Sequence, residues 1–386
     1  MNKQLKWALA LTALAAVASP VAAQDEYLVG LIAGTTGAYG AVGIAVVNGS
    51  QMAVDEINAA GGVNGHMLKL DANNDDASAT LSGQHYARLM SDGAIVIAGS
   101  PDTGPTTAQL AERYQFPTIG VVDDGGLTIY TQGPDGPPNA WAWSFGLNTF
   151  AWGEKIGEHA LKHCPDGRLA VLHDPSTYGQ GGLYGIQIAY NKAGKKVEMD
   201  HTITENWSTG ATAGLMPEVE AIKAAGLKCV VVWLTPQDQA AFAQDLQTAG
   251  YEVTMYGNDV TNADNTFSSL AGKLGNGLIT AALTTELFPN ERLLAWQKKY
   301  RERFNLEPSP FAAGSYDSIM MLKQVIEKAG STAPADLQKG FNSVQNFDGL
   351  TGTLSFSEQD HLTIDADQIT LVKYDAASDK WVELKD

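Results

Sequence analysis

Short apolar runs recur along this chain, separated by stretches in which apolar and polar positions alternate at helical spacing. The runs lie at Leu28–Ile32, Met67–Ala72, Ala94–Ala98, Thr118–Val122, Leu169–His173, Val197–Thr204, Cys229–Leu234 and Val253–Tyr256. Between them, Ser78–Ser91, Thr106–Tyr114, Phe150–His163, Pro217–Ala225 and Gln237–Ala249 read as amphipathic helices. Strands alternating with helices predict an α/β protein whose parallel sheets are covered on both faces. In such sheets ligands gather beyond the carboxyl ends of the strands. Later the habit changes. Leu278–Leu283 reads as a strand and Glu291–Arg303 and Phe311–Lys328 as helices, while the tail from Leu350 is β-rich, with turns at Gly352 and Asp375–Asp379. Trp141-Ala142-Trp143 alternates like an edge or interlobe strand.

One pattern occurs twice. Strand Leu28–Ile32 is followed by a small-residue loop and then Tyr39-Gly40; strand Leu169–His173 is followed by Asp174-Pro175-Ser176-Thr177 and then Tyr178-Gly179. In both, a Tyr-Gly pair opens the next helix. The repeat reads either as two ordinary βα turns or as two similar lobes, each presenting a tyrosine to a shared crevice.

The residues from Tyr27 to Asp76 add detail: an apolar strand, the loop Ala33–Gly40, a long helix ending at Gly61-Gly62-Val63-Asn64-Gly65, and a second strand ending in Asn73-Asn74-Asp75-Asp76. Here the chain resembles the periplasmic solute-binding proteins of branched-chain amino acid uptake, which serve ATP-driven importers. The resemblance covers the mature chain and is most specific over residues 27–122 and 168–185. It implies two doubly wound parallel-sheet lobes joined by a three-stranded hinge. Lobe 1 would comprise 24–146 plus 280–348, and lobe 2 would comprise 147–279 plus 349–386. Crossings are expected near Phe145–Asn148, Gly275–Ala282 and Gln345–Thr353.

Residues 1–23 read as an export signal: Lys3 and Lys6, then the apolar Trp7–Ala18, then Val21-Ala22-Ala23 at the cleavage position. The apolar run is too short for the ~30 Å of a bilayer core. A periplasmic product of 363 of the 386 residues is expected, enough for two cores. The net charge of −18 becomes −20 once Lys3 and Lys6 are removed. That charge opposes binding to phosphate backbones, so nucleic acid is a poor partner. Two cysteines, Cys164 and Cys229, each precede or begin an apolar run. In a doubly wound sheet those strands would be parallel neighbours, and an oxidising compartment permits a bridge. Two buried thiols are the alternative.

No catalytic constellation is visible, and the chain does not read as an enzyme. The loop Gly34–Gly40 lacks the Lys-Ser/Thr of a P-loop, and neither Gly-x-Ser-x-Gly nor His-Glu-x-x-His occurs. His159 and His163 share a helical face, but no third ligand accompanies them, so neither a metal site nor a cofactor is expected. For binding, Ser100 in Gly99–Thr103 opens a helix whose backbone N–H groups suit a carboxylate, unless it merely caps that helix. The resemblance implies that Ser100 contacts ligand, that Asp259 holds an ammonium group, that Tyr39 and Tyr178 form aromatic walls and that Phe311 closes the pocket. It also exposes a departure. The turn Val121–Gly126 carries Asp123-Asp124 where amino-acid-binding relatives have small residues and a threonine that holds the carboxylate. Facing that anion, Asp124 would repel it. Either Asp124 turns to solvent or the solute departs from an ordinary amino acid.

The expectation is therefore a monomeric, extracytoplasmic solute-binding component of an ABC importer. It would capture an amino-acid-like or related solute (an amide, polyamine or aromatic acid being the alternatives) and pass it to a permease in the inner membrane. A ligand-sensing module for a signalling partner is the rival.

Overall fold

The structure is a computed structural model, and it describes residues 26–36, 40–99, 103–120, 126–133, 135–146, 148–204, 214–262 and 265–385. The signal segment and the candidates Tyr39, Ser100 and Asp124 lie outside the described residues.

Among the described residues, five strands build a first sheet: β1 (Tyr27–Ile32), β2 (Leu68–Asn73), β3 (Ala94–Gly99), β4 (Thr118–Gly120) and β5 (Ala142–Ser144). Their order is β2-β1-β3-β4-β5, and every pairing is parallel. The second sheet uses β6 (Ala170–His173), β7 (Met199–Thr202), β8 (Cys229–Trp233), β9 (Thr254–Tyr256) and β10 (Ile279–Leu283). A short pair, β11 (Phe347–Asp348) with β12 (Thr353–Leu354), stands alone; β13 (Ile369–Asp375) and β14 (Lys380–Glu383) complete the second sheet. That sheet runs β14-β13-β10-β9-β8-β6-β7, parallel from β7 to β10 and antiparallel beyond. β8 is buried along its whole length, as its Val230-Val231-Val232 run demands of a central strand covered by helices.

The helices start where the sequence supplies caps. In the first lobe, α1 (Gly40–Ala59) packs beside its sheet, and α2 (Ala79–Ser91) begins with Ser78 accepting from Leu81 N, before α3 (Gly104–Tyr114) and the single turn α4 (Gly126–Ile129). In the second, α5 (Thr149–His163) and α6 (Thr177–Lys192) cross on a glycine face, followed by α7 (Met216–Ala224) and α8 (Pro236–Ala249). A methyl at Gly153 would collide with the Gly182 carbonyl oxygen, and one at Gly185 with that of Phe150. Backbone therefore lies on backbone, which fixes α6 over the sheet. The short α9 (Thr266–Ala271) and α10 (Thr284–Leu287) precede α11 (Glu291–Phe304), α12 (Pro310–Ala329) and α13 (Pro334–Phe341).

Three passes join the sheets, and side chains hold them. Asn148 Nδ2 donates to Ile364 O at 2.8 Å, and Ser144 N to His361 O at 2.9 Å. Asp317, fully buried on α12, accepts from Leu350 N (2.8 Å), Thr351 N (2.9 Å) and Thr351 Oγ1 (2.8 Å). Burial nevertheless raises its carboxyl to about 6. Two expected bounds are corrected. Position 280 falls inside β10, whose ladder to β13 is continuous from Ile279 to Leu283, so the chain leaves the second sheet after Leu283. Residues 361–364, expected with lobe 2, first run beside β5, with Leu362 bridging Ser144. Trp143 is buried, stacked between Phe341 and His361, with its Nε1 donating to Asn342 Oδ1 at 2.8 Å.

Because β6 and β8 are parallel neighbours, their beginnings lie together, and Cys164 and Cys229 are joined by a disulfide with Cα atoms 5.9 Å apart. The tie spans 65 residues. Its removal (Cys164→Ala with Cys229→Ala) is expected to cost ~4 kcal/mol by the loop-entropy relation, measured as the shift in denaturant unfolding free energy.

Candidate functional site

The site is built at the carboxyl edge of the second sheet. Asp174, at the end of β6, has no solvent exposure; its Oδ1 accepts from Ser176 N at 2.7 Å, and burial raises its carboxyl above the usual range. Ser176 in turn caps α6 through Gly179 N. This turn aims Tyr178, in the first helical turn, across the strand ends. Tyr178 is half-buried, and its hydroxyl donates to Asp259 Oδ1 at 2.6 Å. Beneath it lies the fully buried Trp233, the last residue of β8, with ring centroids 5.8 Å apart.

Asp259 follows β9 and is only 7% exposed. Its backbone is pinned by neighbours. Asn258 N donates to Thr261 Oγ1 at 2.8 Å, Asn258 Nδ2 to Leu234 O at 2.9 Å, Gln239 Nε2 to Asn258 Oδ1 at 3.1 Å, and Thr280 Oγ1 to Asn258 O at 2.5 Å. A carboxylate held this firmly is ready for a cationic partner, because its geometry is set before the partner arrives.

The structure thus brings two expected residues together, Tyr178 and Asp259. Phe311 lies elsewhere in the assembly of parts: at the start of α12, 7% exposed, it lines a hinge cavity of about 20 Å³ with Phe145, Trp152, Leu283 and Ile364. That is room for about one water. The cavity draws on all three passes, which places Phe311 where the lobes meet. His159 Nδ1 lies 2.9 Å from Tyr256 OH, and its ring stacks on His163 at 4.2 Å. Among the described residues no group of three or more His, Cys, Asp or Glu is arranged around a metal position.

Sequence reading missed Trp233 as the floor under Tyr178; its place at the end of an apolar run was the available signal. It also missed His361. That ring is buried in the third pass, with Nδ1 2.8 Å from Asn139 O and 2.9 Å from Ala142 O. Burial lowers its pKa from 6.5. The unfolded chain therefore takes up the proton more readily, and stability from neutral His361 is lost as pH falls below 6.5. The stability difference between wild type and His361→Gln should accordingly shrink as pH is lowered from about 7.5 to about 5.5, followed by urea unfolding.

With the two sheets, the crossing passes and this edge described, the comparison with known proteins is decisive. The periplasmic binding protein family matches residues 26–379. The chain belongs to that family. As a periplasmic binding protein it is 27% identical over 378 residues to the Leu/Ile/Val-binding protein homolog 3 of Brucella melitensis, covering 94% of this chain and 95% of that one. Among solved structures it is similar to a type 1 periplasmic binding protein from Bordetella pertussis Tohama I, with a TM-score of 0.82 at 18% identity, covering 94% of this chain and 100% of that one. It also resembles an ABC-transporter solute-binding protein from Rhodopseudomonas palustris BisB5 in complex with 3,4-dihydroxybenzoic acid, with a TM-score of 0.75 at 18% identity over 94% of this chain and 97% of that one. No described helix of this periplasmic binding protein is long and apolar enough to cross a membrane.

Proposed function

We propose that this periplasmic binding protein captures a small amine-bearing, amino-acid-like solute between its lobes and delivers it to an ABC permease. The observation that carries the reading is the pre-set Tyr178–Asp259 pair at the carboxyl edge of the second sheet. An ammonium group meeting Asp259 would form a charge-assisted hydrogen bond in a site with little water, while Tyr178 offers aromatic area beside it. The three passes supply a hinge about which the lobes close, and closure changes the surface offered to a permease. Micromolar affinity needs only about −8 kcal/mol, within reach of one paired charge, several hydrogen bonds and apolar contact. The name of the Brucella relative supports the amino-acid class. Tyr39, Ser100 and Asp124 would complete the site from the first lobe.

An aromatic acid is the second reading, favoured by the ligand of the Rhodopseudomonas palustris neighbour. It lacks an ammonium group, so Asp259 separates the two. Asp259→Ala is expected to weaken an amine-bearing solute by about 2 kcal/mol or more, roughly thirtyfold; calorimetry with unchanged affinity would remove Asp259 from the site. A thermal-shift screen over amino acids, amides, polyamines and aromatic acids identifies the class. Small-angle scattering with the solute so found should show compaction, and identical profiles with and without it would reject lobe closure.

A further inference from the structure

His159 and His163 stand one helical turn apart at the end of α5. Residues four apart on a helix are surface neighbours, and here the two rings stack, with centroids 4.2 Å apart and planes 21° from parallel. His159 is half-buried and His163 exposed. His163 is the last residue of α5, where the carbonyl end of the helix favours positive charge. Cys164 follows it, so the pair lies by the beginnings of β6 and β8, at the other end of the sheet from Asp259.

The disulfide sets the proton of the inner ring. Tyr256 OH, buried at the end of β9, lies 3.7 Å from Cys164 Sγ and 2.9 Å from His159 Nδ1. A bridged sulfur carries no hydrogen and can only accept. Both contacts are hydrogen bonds at once only if Tyr256 donates to Cys164 and accepts from His159 Nδ1–H. In that neutral imidazole the lone pair sits on the other nitrogen, Nε2. Metal-binding histidines have this form, with one ring N–H held by the protein and the other nitrogen turned to the ion. Two nitrogens each about 2.0–2.1 Å from one ion are ~3 Å from each other, a spacing that rings already stacked reach by a small tilt of the exposed His163.

Spacing alone did not favour a metal here, because no third ligand accompanies the pair; the held tautomer of His159 changes that. Among the described residues no third His, Cys, Asp or Glu completes a metal group, so water would fill the open positions and the ion would exchange. Lys162 adds positive charge beside the pair. Imidazole donation must therefore carry the affinity, and hard ions that need carboxylate oxygens, such as Ca²⁺, are excluded.

We propose that His159 and His163 form a surface site for one divalent transition-metal ion, Cu²⁺ ahead of Ni²⁺ and Zn²⁺, with Tyr256 positioning His159. The order is the general one for nitrogen ligands where geometry imposes no selection. The site is independent of which solute the lobes take.

The test is calorimetry on the untagged mature chain with CuCl₂, NiCl₂, ZnCl₂ and CaCl₂ as probes. Wild type is expected to bind about one Cu²⁺ per chain, tighter than Ni²⁺ or Zn²⁺, and no Ca²⁺. His163→Gln, at an exposed position, should weaken Cu²⁺ at least tenfold, as should His159→Gln, whereas His85→Gln on α2 should leave it unchanged. Tyr256→Phe keeps both ligands and should weaken Cu²⁺ about tenfold. Electron paramagnetic resonance of the copper complex should show two coordinated nitrogens in wild type and one in His163→Gln. No saturable Cu²⁺ binding by wild type overturns the proposal, and so does a His163→Gln protein with unchanged affinity and nitrogen count. Full affinity in Tyr256→Phe overturns the positioning role.

Discussion

Three stretches of chain leave one sheet and enter the other, and the backbone groups in each must find partners where neither sheet can supply them. Buried N–H and C=O groups left alone cost free energy comparable to a lost hydrogen bond. The fold meets this with side chains. Asp317 takes two N–H groups and a hydroxyl of the third pass, Asn148 reaches Ile364 O, and His361 serves the carbonyls of Asn139 and Ala142. The passes are satisfied by a few polar contacts, in contrast to the ladders that set the registers of the two sheets.

The second lobe shows the opposite strategy. Its helices α5 and α6 touch through glycines, so no rotamer change can absorb relative motion there. The disulfide ties the beginnings of β6 and β8, and the Asn258 network fixes their neighbour β9 at its far end. Tyr178 and Asp259 are thus carried on rigid elements, which hold the two side chains in one relative geometry.

Strands with near-continuous apolar runs were legible from the sequence: Leu28–Ile32, Ala94–Ala98, Leu169–His173 and Cys229–Leu234 appear within a residue of their observed bounds. Burial on both faces leaves a local signature in composition. The helix from Ser78 and the tyrosine opening α6 were equally readable, since helical periodicity and turns are local signals. The hinge was not. β11 and β12 are two residues each, and the run of residues 361–364 beside β5 rests on a partner more than two hundred residues away. Periodicity carries no information about such pairings. The same holds for Trp233 under Tyr178 and for Leu283 against Phe311, where distance along the chain hides proximity in space.

The packing of Trp233 has a practical side. Its indole is shut away from solvent, and its ring lies 5.8 Å from that of Tyr178, whose hydroxyl is bound to Asp259. The light emitted by an indole depends on its immediate polar surroundings, and that phenol is part of them. An indole so placed is a built-in fluorescent reporter on the Tyr178–Asp259 pair, readable without attaching a dye.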